Sequence, residues 1–290
     1  MATKQLGIIL NGATGRICRT QHMRGGLVPI RDEGGLTVGD DQIVPRMLLA
    51  GRNEDRLAEV AREYGIEEWT TELDSALADP DFPVFFDAAA THLRLDTLNK
   101  AIDAGKHIYT EKPIAPTVAE GIELMKRADA KGLKHGAVED KLFLPGFRKL
   151  SNLMDRGFFG RVLGFKLEFG WWVFNGIEAE SQRPSWNYKK SGGGGLLSDM
   201  HPHWRYVIEG ILGPINHVSC AAWTAQPDRI DEDGNRYKVD VEDATATLLE
   251  MDSGARGIIN SSWATRVRGD DLVTFQIDGT DGSAVAGLRN

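Results

Sequence analysis

The chain has 290 residues, 41% of them hydrophobic, enough for a large buried core. Single cores stop growing near ~250–300 residues, so two domains are expected. Lys and Arg number 34 against 42 Asp and Glu, a formal charge of -8, and no basic run offsets it, which sets nucleic acid and anionic membrane aside as partners. Two cysteines, Cys18 and Cys220, are too few for a disulfide framework. With no secretory leader and no stretch near the ~20 apolar residues of a membrane span, a cytoplasmic protein is expected.

In chain order, "LGIILNG" is an apolar run closed by glycine, and "ATGRICRTQHM" after it can start a helix. The segment "RGGLVPIRDEGGLTVGDDQIVPR" reads as a helix end plus an exposed loop. "RMLLAG" is the second strand. It leads into "NEDRLAEVAREYG", where Asn53 is placed to cap a helix, Leu57, Val60, Ala61 and Tyr64 share a face, and Gly65 ends it. "VFFDAAA" predicts a third strand, "LRLDTLNKAIDAG" a helix, and "KHIYTE" a fourth strand. "TVAEGIELMKRADAKG" opens with Thr117 and Glu120 in capping-box spacing and stops at Gly132, and "LKHGAVE" closes the series. Strands alternating with amphipathic helices predict a doubly wound parallel sheet, a Rossmann arrangement, over residues 1–140. From residue 141 to 290 an α+β domain is expected. In it "SDMHPHWRYVIEGILG" is a helix, and "INHVSCAAWTA", "DATATLLEMD", "GARGIINSSWAT" and "LVTFQIDGT" are strands of an open, mostly antiparallel sheet.

In such sheets ligands sit beyond the carboxyl ends of the strands. After the first strand, Gly12, Ala13, Thr14, Gly15, Arg16 and Ile17 form a glycine-bearing turn entering a helix. There the backbone approaches a pyrophosphate and helix N–H groups face it. The pattern departs from G-x-G-x-x-G, with Cys18 at the third glycine position. After the second strand, where an NAD site carries Asp or Glu, stand Gly51, Arg52 and Asn53. A missing carboxylate leaves a 2′-phosphate unrepelled and Arg52 able to pair with it, so the cofactor expected is NADP or NAD, with NADP favoured; Arg52 lying over the adenine face is the alternative.

At "GKHIYTEKPIA" the sequence resembles the Gfo/Idh/MocA oxidoreductases. The resemblance continues in the glycine run Gly193–Gly195 followed by Leu197, Asp199 and His203, and in "FFGRVLGFKLEFG" and "IDGTDGSAVAG". His201, where the family commonly has glycine, and Lys141, where it often has Arg or Asn, depart from the pattern. The resemblance implies a nicotinamide-dependent oxidoreductase acting on a secondary hydroxyl of a sugar, polyol or inositol. It also implies homo-oligomers of the full-length protein, and an open sheet that relatives complete beyond the position of Asn290, so the second domain is expected to lack its C-terminal part.

Alcohol oxidation needs a hydride acceptor and a base for the hydroxyl proton. His203 is assigned as general base, Lys112 as electrostatic partner of the substrate oxygen, and Asp199, four residues before His203 and on the same helical face, as the orienting carboxylate; the resemblance casts either the lysine or the histidine as proton acceptor, so the division of labour between Lys112 and His203 stays open. Ser198 or Asp199 is expected near the helix N-cap, with Pro202 in the first turn. Glu111 is expected to hold Lys112 or the cofactor. Asp199, His201, Lys112, Trp186 and Tyr188 are candidate substrate contacts, together with Trp171 and Trp172; at least half of the four aromatics Trp171, Trp172, Trp186 and Tyr188 are expected to be core. The run Gly192–Gly195 either lets the chain approach a ligand closely or forms a flexible loop. Two rival readings follow from the same residues. One is a non-catalytic nucleotide sensor; the other is a zinc hydrolase using Asp199, His201 and His203, against the principal expectation of no metal.

Overall fold

The computed structural model describes residues 2–171, 176–177, 184–265 and 271–289. The chain divides into two compact units, Met1–Val138 and Glu139–Asn290.

In the first unit β1 (Ala2–Asn11) runs into a helical segment beginning at Arg16. Its stretch Cys18–Leu27 is π-helical and continues as α1 (Val28–Asp32). Next come β2 (Leu36–Val38), β3 (Asp41–Ala50), α2 (Glu54–Tyr64), β4 (Glu68–Thr70), α3 (Leu73–Ala78) and β5 (Val84–Asp87). The unit closes with α4 (Thr91–Asp103), β6 (His107–Thr110), α5 (Val118–Ala130) and β7 (His135–Ala137). The sheet order is β2-β3-β1-β5-β6-β7, with β4 on β3, and every pairing is parallel except β2 with β3. Successive strand residues point to opposite faces, which explains the two cores. Ile8, Leu10, Met47, Leu49 and Phe86 meet Leu57 and Val60 of α2 on one side. Ile9, Ala50 and Phe85 meet Leu77, Leu98, Ile102 and Leu124 on the other. The predicted caps form: Asn53 Oδ1 accepts from Arg56 N at 2.9 Å, and Thr117 Oγ1 from Glu120 N at 3.3 Å.

Residues 24–46 depart from the expected helix end and loop. The helix runs on to Asp32, and an antiparallel strand is added at the sheet edge. Packing is the reason. Met23 is fully buried, Leu27 and Val28 join the core, and the Arg31 guanidinium donates to the carbonyls of Tyr64 and Gly65 at the end of α2.

The second unit contains α6 (Pro145–Asp155), β8 (Val162–Gly170), α7 (Leu196–Leu212), β9 (Ile215–Trp223), a hairpin of β10 (Asp228–Ile230) and β11 (Arg236–Lys238), β12 (Ala244–Met251), β13 (Arg256–Ser262), β14 (Asp271–Gly279) and β15 (Ser283–Arg289). Among the described residues a six-stranded sheet has the order β15-β14-β8-β13-β12-β9, antiparallel except for β13 with β8. Its inner face (Leu167, Leu249, Ile259, Phe275 and Ile277) packs with Phe147 and Leu150 of α6 and Trp204, Val207 and Ile208 of α7. Leu248 and Val285 are exposed. The hairpin is anchored by a fully buried ion pair, Arg229 Nη2 to Asp243 Oδ2 at 2.6 Å, with the guanidinium 4.2 Å from the Tyr188 ring centroid. Among the described residues no helix is long and apolar enough to cross a membrane.

Candidate functional site

In the first unit the turn after β1 is built by close approach. Gly12 has φ +77°, and a Cβ there would lie 2.7 Å from Ala89 N. The N–H groups of Gly12 and Ala13 both donate to Ala50 O, and Gly15 N donates to Gly12 O at 2.9 Å. Ala13 is buried, whereas Gly15 and Arg16 are exposed where the helix begins. The first N–H groups of a helix have no intrahelical partner, and no carboxylate stands in this turn, so the residues present fit a dinucleotide pyrophosphate. Cys18 is core. Burial first, then the charges of Glu111 and Asp87, push its thiol up to about 12. Arg52 is exposed and makes no ion pair or hydrogen bond among the described residues. Asn53 is a different matter: its side-chain oxygen is committed to capping α2 rather than to a cofactor.

The loop after β6 carries Lys112, joined to Pro113 by a cis peptide bond. It is held from two sides. Arg94, buried on α4, donates to Pro113 O at 2.6 Å and to Ala89 O at 2.9 Å, and stands 3.6 Å from Asp87 Oδ2. Asp87 is wholly buried at the end of β5. Burial raises its carboxyl despite hydrogen bonds from Ala89 N, Thr97 Oγ1 and Asn11 Nδ2. Glu111 faces the other way: Oε1 lies 2.6 Å from His22 Nε2, and Oε2 accepts from Lys112 N at 3.3 Å. Glu111 therefore holds the Lys112 peptide, with His22 as a partner that the sequence reading passes over.

In the second unit α7 starts at Leu196, earlier than expected, with Gly195 as N-cap. Glu242 supplies the missing cap: its carbonyl accepts from Leu196 N at 3.0 Å and its Oε1 from Leu197 N at 2.9 Å. Glycines of the run ahead of α7 are closely packed. A Cβ at Gly194 would meet Asn187 O at 2.2 Å, and one at Gly195 would meet Glu242 Oε1 at 2.6 Å. The close approach is to the protein's own chain. Pro202 consequently sits inside the helix, not in its first turn.

His203 is buried, with Nδ1 2.6 Å from Glu139 Oε2 and 3.9 Å from Asp140 Oδ1. The ring-orienting carboxylate is therefore Glu139; Asp199, one helical turn earlier, does not fill that place. The unit boundary at Val138 explains the difference, since Glu139 belongs with α7 and not with the Rossmann sheet that precedes it. Burial alone would raise Asp140, but Lys141 beside it and then His203 bring it below the usual carboxylate range. His201 lies about 200° around the helix from His203. Its Nε2 pairs with Thr245 Oγ1 at 2.9 Å, and burial lowers the ring to about 4. With the two imidazoles turned to different partners, the zinc set of Asp199, His201 and His203 is not assembled. Among the described residues no group of three or more His, Cys, Asp or Glu is placed to hold a metal.

Of the aromatic candidates, Trp186 is half-exposed. Tyr188 is fully buried between Trp263, 5.3 Å away edge-on, and the Arg229 guanidinium, so it belongs to the core and offers no face to a substrate. Trp171 packs against the same core, and Trp172 lies outside the described residues. Polar groups closing apolar strands, Asp87 after "VFF" and Glu139 after "GAV", are the sequence signal that could have found the missed residues.

A nucleotide-binding turn at the first strand of a parallel sheet, with a basic loop beyond a later strand, and a second unit whose helix presents a carboxylate-held imidazole define a nicotinamide-dependent oxidoreductase. The description "Oxidoreductase family, NAD-binding Rossmann fold" matches residues 41–137, and "GFO/IDH/MocA C-terminal domain" matches residues 147–285. The chain belongs to the GFO/IDH/MocA oxidoreductase family. It is 49% identical to a D-xylose dehydrogenase of Paenarthrobacter nicotinovorans over 97% of this chain and 74% of that protein. A levoglucosan dehydrogenase of Pseudarthrobacter phenanthrenivorans is 28% identical over 83% of this chain, which spans 64% of that relative's length. A solved levoglucosan dehydrogenase in complex with NADH and levoglucosan superimposes with a TM-score of 0.83 at 26% identity, covering 98% of this chain and 74% of that one.

Proposed function

We propose that the protein oxidises a hydroxyl-bearing carbon of a sugar or polyol, an aldopentose such as D-xylose being the first substrate to try, and that it uses NADP ahead of NAD. The observation that carries the reading is the buried His203–Glu139 pair. With Nδ1–H donated to Glu139, the ring presents Nε2 as its basic nitrogen, the tautomer a general base requires. The identity to a D-xylose dehydrogenase supports the substrate class.

When bound, the dinucleotide supplies the acceptor for the hydride that leaves the carbinol carbon. His203 takes the hydroxyl proton at Nε2, and Glu139 stabilises the imidazolium that results. Lys112 places its ammonium against the substrate oxygen as negative charge develops there. Asp199, on the helical face of His203, binds a neighbouring substrate hydroxyl, and Trp186 is the aromatic contact retained. Thr14, Gly15, Arg16 and Ile17 hold the pyrophosphate, while Arg52, exposed and without a carboxylate at the preceding glycine, pairs with the 2′-phosphate. The exposed Leu248 and Val285 support a homo-oligomer that covers them, to be tested by light scattering.

Initial rates of nicotinamide reduction with D-xylose, other sugars and inositols test the reading. His203→Ala and Lys112→Met are each expected to lower kcat by about 10²-fold or more. Arg52→Ala should raise KM for NADP far more than for NAD; equal effects would remove the cofactor preference. Dinucleotide binding with no turnover on any sugar or polyol would favour a sensor instead.

A further inference from the structure

His22 has no place in the chemistry above, yet it is built into the structure more firmly than its polar neighbours. It lies in the π-helical stretch after the Gly12–Gly15 turn, between Arg19 and Thr20 before it and Arg24 after it. Only 15% of its side chain is exposed. The ring stands edge-on to Phe86 with centroids 4.6 Å apart, and Nε2 is 2.6 Å from Glu111 Oε1. Glu111 is equally enclosed at 14% exposure, receives Lys112 N on Oε2, and donates its own N–H to Asp87 O at 2.8 Å. Cys18, Arg94 and Tyr109 feel the Glu111 charge, but none of these three hydrogen-bonds to it among the described residues. A carboxylate this enclosed needs a strong donor to stay in one place, and a histidine N–H at this distance is one.

We infer that His22 is a positioning residue for Lys112. Through Glu111 it fixes the peptide from which the lysine side chain springs, and it ties that loop to the helix that begins at the dinucleotide turn. The inference rests on Lys112 taking part in the transfer proposed above. The His22 ring is engaged by Glu111 and Phe86, so the effect expected is on turnover and not on dinucleotide binding.

The test uses the full chain with NADP and D-xylose, or whichever sugar gives the highest rate. His22→Leu lowers kcat about tenfold, while the dissociation constant for NADP, followed by quenching of tryptophan fluorescence, stays within about threefold. His22→Gln, which keeps a donor toward Glu111, recovers kcat to within about threefold of the parent. In a Lys112→Met background His22→Leu costs less than about twofold more, because the group it positions is gone. Should the leucine variant fail to fold, His22→Phe, which keeps a ring against Phe86 and removes the donor, takes its place with the same expectation. A leucine variant within twofold of the parent, or a full tenfold loss added to Lys112→Met, overturns the inference while leaving the role of Lys112 intact. Parental turnover in Lys112→Met alone removes that role, and the inference with it.

Discussion

Replacing Glu139 probes the link between structure and proton transfer directly. The carboxylate meets His203 Nδ1 at 2.6 Å, with side-chain exposures of 8% for the histidine and 7% for the glutamate, so solvent screens the pair little. A hydrogen bond to a charged group contributes about 1.5–3 kcal/mol against about 0.5–1.5 kcal/mol for a neutral one. Glu139→Gln keeps the shape and the acceptor and removes the charge. The difference, about 1–1.5 kcal/mol, corresponds to roughly tenfold in rate at ~1.4 kcal/mol per decade. Glu139→Ala removes the contact altogether and should lower kcat by about 10- to 150-fold. Both losses act through the tautomer and charge of the imidazole, so they fall on kcat and leave the KM for the dinucleotide within about threefold. Steady-state rates with the best sugar and NADP measure them. An alanine variant within threefold of the parent would refute the assignment of Glu139 as the group that holds and charges the base.

Burial keeps His201 at about 4 against its ordinary 6.5, so the unfolded chain takes up the proton first on acidification. Stability present above 6.5 is then lost as pH falls through that window, by up to about 3 kcal/mol. His201→Gln, which does not titrate, should flatten the fall of the urea midpoint between neutral pH and the lower end of the window; an unchanged slope would mean that another group controls it. Breaking the buried Arg229–Asp243 pair with Arg229→Leu leaves Asp243 without its countercharge and should cost about 3–5 kcal/mol in denaturant unfolding. A loss below 1 kcal/mol would contradict the burial described. Gly194→Ala sets a Cβ 2.2 Å from Asn187 O, so the backbone ahead of α7 must shift. Thermal melting should show a loss of about 1–3 kcal/mol together with reduced kcat, and a variant equal to the parent in both would restore the flexible-loop reading.

Local physics made much of the first unit legible. The alternation of Ile8, Ile9 and Leu10 between two cores, the Asn53 and Thr117 caps and the Gly65 stop all follow from spacings of a few residues. Long-range pairing hid the rest. Glu139 stands 64 residues before the histidine it holds, at the end of a run that reads as the last strand of the Rossmann sheet. The start of α7 depends on Glu242, supplied from the segment before β12, which is why a run of glycines resembles a loop when seen alone. Tyr188 has the composition of a sugar-binding aromatic, and only the arrival of Arg229 and Trp263 makes it core. His22 sits in a helix whose π-helical register no heptad or 3.6-residue template anticipates.

Hydride transfer from a sugar carbon is the claim on which the other assignments depend. A perdeuterated pentose, incubated with the protein and NADP and followed by mass spectrometry of the dinucleotide, tests it most directly. The account predicts that the reduced cofactor carries one deuterium from the sugar and that His203→Ala slows its appearance about 10²-fold. Reduced cofactor lacking the label, or no reduced cofactor from any sugar or polyol, would contradict it.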